Sequence, residues 1–363
     1  MVGNDPDGFG GVSTVAWLFL RHTADVDGVD LRYVVTHRDG SAALRVRVFA
    51  LGAARVVGLL AARRVDVLHL HVSERGSVVR KGLLLHAASL LRVPVVLHCH
   101  GAEFADELAV MSPRRRRLMR GVFSRASVVA VLGEGMVTTV AEAGADPSVV
   151  HVVPNPVALP GTVPVRPELE RVPALFLGRM IARKGASELV RAVASLPDDV
   201  RGRLALRMFG DGPVDEVRAL VAQLGVSDAV DVQGWLAPQA RDAELARAEV
   251  FVLPSHNEGL PMALLEAMAW GTVPLVTPVG GIPAVVRDHD NGLLVTPGDE
   301  PAIAAALAEL VGDAHLRTRL GAAARVSAEA HDVRGYVREW LWLWGAVASG
   351  RGSGTPSVER RST

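Results

Sequence analysis

The chain has 363 residues, 49% of them apolar and 21% charged, a globular composition too long for one typical core, so two domains are expected. Its 39 basic and 39 acidic side chains cancel, which removes any overall pull towards nucleic acid. One cysteine, Cys99, excludes an intrachain disulfide and fits a cytoplasmic protein, and no secretory leader, membrane-length apolar run or zinc-type Cys/His spacing is present.

Residues 1–7 read as polar and turn-like. Gly8-Phe9-Gly10-Gly11 follows and opens an apolar helix from Ser13 to about His22. A glycine loop entering a helix can cradle phosphate, and in nucleotide-binding α/β domains it follows a buried first strand. The short motif reads equally as a tight turn without a ligand. No apolar run precedes it, so the first strand is expected to be missing and to lie in an upstream segment.

Strands and helices then alternate. Residues 31–36, 65–71, 93–100, 127–132 and 149–153 read as strands, and residues 53–64, 77–91, 113–125 and 135–143 as helices. Short apolar runs between helices imply a mostly parallel sheet covered on both faces. Pro154-Asn155-Pro156 closes this half, giving a first domain over residues 1–158. Residues 159–172, with Pro160, Pro164 and Pro167, read as a linker. A second alternating half covers residues 173–332, with strands expected at 174–177, 204–209, 230–233, 250–253, 273–276 and 292–295. A ligand is expected in the cleft between two such domains. The helix over residues 333–347 places Tyr336, Trp340 and Trp344 on one face, for packing on a neighbouring domain or, alternatively, as a membrane-interface belt. Residues 348–363 are rich in Gly, Ser and Arg and read as a disordered tail.

The densest chemistry lies in residues 251–269. An apolar run passes through a turn holding Ser255, Glu258 and Gly259 and enters a helix at Pro261, which suits a first helical turn. Such a helix start offers backbone donors and a positive dipole end to an anion. Glu258 stands at its mouth and Glu266 lies deeper inside; alone, two glutamates at this spacing are ordinary surface carboxylates. Arg179 and Lys184 follow another strand of the same domain, where a planar fork and a point charge could hold a diphosphate, or merely form a solvated basic turn. Gly210-Asp211-Gly212-Pro213 and Gly280-Gly281-Ile282-Pro283 end two further strands of that sheet. In the first domain His100 ends a strand beside Gly101, whereas His69, His71 and His98 read as structural.

Taken together, Gly10-Gly11, His100-Gly101, Pro154-Asn155-Pro156, Gly178-Arg179…Lys184-Gly185, Gly210-Asp211-Gly212-Pro213 and Pro254-Ser255…Glu258-Gly259…Glu266 resemble the retaining glycosyltransferases of family four, which have the GT-B fold. The resemblance runs from about Gly8 to the C-terminal helix, and the missing first strand is the main departure. It implies an α/β protein of two Rossmann-like, doubly wound parallel-sheet domains, with the C-terminal helix crossing back to the first. It implies a nucleotide-sugar donor held mostly by the second domain, retention at the anomeric carbon, and no metal or other cofactor. By the same resemblance Arg179 and Lys184 would neutralise the leaving diphosphate, and the backbone at Gly259 and Leu260 would add donors. Glu258 would hold sugar hydroxyls, Glu266 the ribose hydroxyls, and His100 the donor sugar near the reacting carbon. Gly10, Gly11 and Gly210 would allow close approach to the donor; Glu103, Asn155 and Ser255 are further candidates. A glycoside hydrolase using two glutamates is the rival mechanism, disfavoured because a hydrolase has no need of the cation pair. The chain could also be an inactive nucleotide-sugar-binding subunit or a nucleotide-sugar epimerase.

The helix over residues 113–125 carries Arg114, Arg115, Arg116 and Arg117 together with an apolar stripe. This pattern suits the surface of an anionic membrane at the inner face of the cell, where a lipid-linked acceptor would place the enzyme, or a solvated helix whose stripe faces the sheet; a glycan acceptor is equally open.

Overall fold

The structure is a computed structural model that describes residues 1–8, 10–74, 76–163, 166 and 169–350. The chain forms two compact units. One comprises Met1–Pro154 with the C-terminal helix from Arg334, and the other Asn155–Val333.

The first unit contains strands β1 (Val2–Asn4), β2 (Val34–His37), β3 (Leu68–Val72), β4 (Val95–Cys99), β5 (Val128–Val131) and β6 (Val150–Val152). They form one parallel sheet in the order β2-β1-β3-β4-β5-β6. Its helices are α1 (Gly11–Thr23), α2 (Ala42–Ala61), α3 (Gly76–Leu90), α4 (Phe104–Val110), α5 (Pro113–Phe123) and α6 (Gly135–Glu142). Strand order reverses between β1 and β3. Right-handed crossovers therefore put α1 on one face of the sheet and α2 to α6 on the other.

The first strand is not missing, contrary to the sequence expectation. Val2–Asn4 pairs in parallel with β2 and β3, and Met1 and Val2 are buried. Three residues, one a glycine and one an asparagine, give no apolar run to read. The strand is held by neighbours on both sides, and Tyr33 donates its hydroxyl hydrogen bond to the Asn4 carbonyl at 2.7 Å. The helix expected over residues 53–64 begins earlier, at Ala42, where the Ser41 hydroxyl caps the Leu44 N–H.

The second unit contains β7 (Val172–Leu177), β8 (Leu204–Phe209), β9 (Val230–Gln233), β10 (Val250–Leu253), β11 (Val273–Val276) and β12 (Leu293–Leu294), parallel in the order β12-β11-β10-β7-β8-β9. Its helices are α7 (Ala186–Ala194), α8 (Asp198–Gly202), α9 (Val214–Gln223), α10 (Pro238–Arg247), α11 (Met262–Ala269), α12 (Glu300–Gly312) and α13 (Ala314–Glu329). The boundary with the first unit falls at residue 154, ahead of the expected 158. Val157 bridges to Asp332 and Asn155 bonds within the second unit, which draws this segment there. Of the expected linker, Pro164, Val165, Pro167 and Glu168 lie outside the described residues, as does the expected tail beyond Gly350.

The last helix, α14 (Val333–Ala348), packs on the first unit from Arg334 onward. Tyr336, Trp340 and Trp344 surround Phe19 of α1, with ring centroids 5.1, 5.9 and 5.7 Å away. The aromatic face is thus packing, and Trp340 is fully buried.

Candidate active site

In the second unit the chain runs outward from β7 to β9 and then returns to β10, so the switch point lies between β7 and β10. Ligands of open parallel sheets bind at the carboxyl ends of the strands flanking such a point. The loops there hold Arg179, Lys184, Ser255 and Glu258, and Gly210 follows β8 beside them.

Two of these loops touch through positions that exclude a side chain. Gly185 has φ 71°, and an added Cβ would strike the Pro254 carbonyl. Gly280 has φ 58° and lies against the Glu258 carbonyl. Gly210 packs likewise on the Gly178 carbonyl.

Glu258 is the hub. Its buried carboxylate accepts the Lys184 ammonium at 2.5 Å and the Ser255 hydroxyl at 2.7 Å, both on Oε1. The Arg183 guanidinium lies 3.9 Å from Oε2 and donates to the Asn257 carbonyl at 2.7 Å. Ser255 is fully buried and its carbonyl accepts the Thr277 hydroxyl, so its role here is to fix Glu258. Arg179 differs: its side chain is 59% exposed and sits 3.3 Å from Asp211. That ion pair is solvated and worth little, so a phosphate could replace the carboxylate at small cost.

Helix α11 begins at Met262, with Pro261 one residue ahead as its cap rather than inside the first turn, and no side chain caps it. The Gly259 carbonyl accepts the Gly281 N–H at 2.5 Å, and the Leu260 carbonyl accepts the Asn155 amide at 2.7 Å. Asn155 is therefore a brace for the turn before α11, and its Oδ1 is buried without a partner among the described residues. Glu266 lies inside α11, 3.1 Å from Arg241 of α10. Burial pushes its carboxyl up to about 7; Arg241 pulls it down and Asp242 pushes it further up. Desolvation outweighs the ion pair here. Sequence reasoning missed Arg241, because its partner is reached only when two helices pack.

In the first unit His69 and His71 lie in β3 and His98 in β4, and His100 follows β4 directly. His69, His71, His98 and His100 crowd the same region of the adjacent strands β3 and β4, with ring centroids 4.0 to 5.3 Å apart. Trp344 of α14 donates its indole N–H to His69 Nδ1 at 3.1 Å. An indole nitrogen only donates, so His69 carries its proton on Nε2, which faces His98 Nδ1 at 3.3 Å. The His98 proton is then on Nε2, which is buried without a partner among the described residues.

Three of these histidines, His69, His71 and His98, bring ring nitrogens within 4.8 Å of one another, a spacing a metal could use. The hydrogen-bond chain opposes it: His69 has no lone pair left, and the free nitrogen of His98 holds a proton. His71 Nδ1 meets His100 Nε2 at 2.8 Å. Burial lowers the pKa of His100 to about 3, and holds the other three well below the ordinary imidazole range, so all four are neutral near pH 7.

Glu74, which sequence reasoning passed over, accepts the Glu103 N–H at 2.6 Å and packs on Gly101, fixing the turn after His100. Glu103 caps α4 by its backbone. Gly10 and Gly11 are exposed at the start of α1, while Phe9 lies outside the described residues. The four arginines Arg114 to Arg117 are exposed on α5, whose apolar stripe of Met119, Val122 and Phe123 faces the core.

Comparisons with known proteins place the chain in a family. The family model described as Glycosyl transferases group 1 matches residues 166–327, and that described as Glycosyl transferase 4-like domain matches residues 9–156. The chain is 33% identical to the D-inositol 3-phosphate glycosyltransferase of Streptomyces bingchenggensis, over 73% of this chain and 63% of that protein. It is 39% identical to the lipopolysaccharide core biosynthesis glycosyltransferase LpsE of Rhizobium meliloti, over 40% of this chain and 41% of that protein. The matched regions thus span less than two thirds of these relatives' lengths. Anabaena Alr3699/HepE, solved in complex with UDP-glucose, shares the fold, with a TM-score of 0.73 and 19% identity over 94% of this chain and 98% of that one. With two parallel six-stranded α/β units and both family models matched along its length, the chain belongs to the family-four glycosyltransferases of GT-B fold.

Proposed function

We propose that this chain is a retaining glycosyltransferase that moves a hexosyl group from a UDP- or GDP-sugar to a glycan, lipid-linked or small-molecule acceptor. Such a reaction would serve the synthesis of cell-surface polysaccharide or glycolipid. The observation that carries the reading is the charged edge of the second sheet, where Arg179, Lys184 and Glu258 come from adjoining loops at the switch point and Glu266 from the helix that follows. The solved complex of HepE with UDP-glucose supports the same donor class.

In this reading Arg179 exchanges Asp211 for the donor diphosphate, and Lys184 adds positive charge from behind Glu258. These cations stabilise the charge that develops as the C–O bond to phosphate breaks, so the reaction is read as independent of metal. Glu258 is held by Lys184 and Ser255 and positions sugar hydroxyls with its remaining lone pairs. The acceptor oxygen then forms its bond on the face the diphosphate leaves, and its proton passes to the departing phosphate oxygen. Glu266 accepts hydrogen bonds from ribose hydroxyls. His100, kept neutral by burial, offers a hydrogen bond to the sugar without adding charge.

The test is product analysis with candidate donors, with and without acceptor, with Mg²⁺ and with a chelator. Transfer that needs an acceptor, survives chelation and retains the anomeric configuration by NMR supports the proposal. A new nucleotide sugar made from donor alone would instead identify an epimerase, and free sugar without any acceptor preference a hydrolase.

A further inference from the structure

Helices α2, α3 and α5 lie side by side on one face of the first sheet. None of the three contains an aspartate or a glutamate, although the chain as a whole is neutral. The nearest carboxylates lie off these helices, in the flanking loops at Asp39 and Asp66 and on the neighbouring helices at Asp106 and Glu107 of α4 and Glu142 of α6. The outward sides carry arginines: Arg45, Arg47 and Arg55 on α2, and Arg114 to Arg117 and Arg120 on α5, all exposed.

The same face exposes aliphatic side chains that the fold leaves uncovered. Val46 is 69% exposed and Leu51 63% on α2, and Leu83 is 61% and Leu90 75% exposed on α3. On α2 they interleave with cations, in the run Leu44-Arg45-Val46-Arg47. The stripe of α5 is spent on the core, so α5 supplies charge and α2 and α3 supply the apolar surface.

We propose that the α2–α3–α5 face docks on an anionic lipid bilayer. Arginines next to such a surface are attracted to its anionic headgroups, and aliphatic tips set among them enter the headgroup region. A nucleic acid would use the cations but not the leucines and valines, and would be met by stacking aromatics. No Phe, Tyr or Trp is exposed on the described residues of these helices. The inference deepens the proposed function by committing its acceptor to a membrane surface, but the binding itself does not depend on the donor site.

The experiment is co-sedimentation of the full chain with vesicles of phosphatidylcholine alone and with vesicles of phosphatidylcholine mixed with phosphatidylglycerol. The chain should pellet with the mixed vesicles only, and added salt should release most of it. Replacing Arg45, Arg47 and Arg55 by Ser should lower the partition coefficient about tenfold or more, and Val46→Ser with Leu51→Ser and Leu83→Ser should lower it several-fold. All these side chains are exposed, so the melting temperature and the shift it shows with nucleotide should stay unchanged. No pelleting, equal pelleting on both vesicles, or pelleting untouched by the arginine variants would overturn the proposal. So would an unchanged partition of the aliphatic variant combined with displacement by polyuridylate, which would make the face a polyanion site. Loss of vesicle binding with an intact nucleotide shift removes this inference alone, and the reverse removes only the donor reading.

Discussion

The two sheets reach their switch points by similar topologies, yet the carboxyl edges they present are chemically unlike. On the second unit the edge is ionic: Glu258 with Lys184, Arg179 with Asp211, Glu266 with Arg241. On the first unit His100 stands at the end of β4, backed by His71, His69 and His98 within the strands, and burial keeps all four uncharged. The difference suits the division of labour proposed for the two edges. A charged leaving diphosphate needs fixed cations, whereas neutral sugar hydroxyls need hydrogen-bond partners that bring no charge of their own.

The largest effect should come from breaking the ionic edge at its hub. Lys184→Ala leaves the buried Glu258 carboxylate without its ammonium, so stability should fall by about 3 kcal/mol in a denaturant titration. Transfer should fall at least about a hundredfold with it. Arg179→Ala sharpens the contrast: its solvated pair with Asp211 should cost under about 1 kcal/mol of stability, yet nucleotide-induced stabilisation should vanish. His100→Ala probes the neutral edge. Transfer should drop about a hundredfold while the thermal shift with nucleotide is retained.

A pH series distinguishes the edges again. The Glu266 carboxyl is raised to about 7 from an ordinary value near 4.5, so the folded state holds its proton over a range where the unfolded chain has lost it. Its contribution to stability is full below pH 4.5 and is lost as pH rises through 7. Glu266→Gln should flatten that decline, and wild type and variant showing the same slope would contradict it. The smallest effect belongs to Trp344→Phe, which removes one hydrogen bond to His69 and should cost about 1 kcal/mol, with a change in the His69 tautomer visible by NMR.

How much of this was legible in sequence depended on whether a residue's partners were near in the chain. β8, β10 and β11 are largely apolar runs and β9 an apolar–polar alternation, each bounded by turns, and the structure has them at the expected residues. β1 was invisible because Gly3 and Asn4 carry no strand signal; the neighbouring strands make it one. The first half of α2 was missed because its apolar residues face out, and the alternation from Leu44 to Val48 looks like neither a core helix nor a turn. That failure coincides with the face proposed to meet a bilayer, and such a partner would account for the broken local rule. Glu258, Lys184 and Arg179 were readable as motif residues. Ser255, three residues before Glu258, was readable in the same motif, and so was Asp211 as a residue of the Gly210–Pro213 turn, though not as the partner of Arg179; the pairing of Glu266 with Arg241 and the Trp344 bond that sets the imidazole tautomers depend on packing between distant segments.

The central claim is that the ionic edge of the second unit binds a nucleotide-sugar donor. The most direct measurement is thermal unfolding with UDP, GDP, ADP and their sugar conjugates, for wild type, Arg179→Ala and Glu266→Ala, first without metal and then with Mg²⁺. The account predicts that one nucleotide family stabilises the wild-type chain, by roughly 2.7 kcal/mol at a hundred times its dissociation constant, without metal and in neither variant. A cooperatively folding sample that shifts with none of them, or that shifts equally in all three proteins, would contradict it.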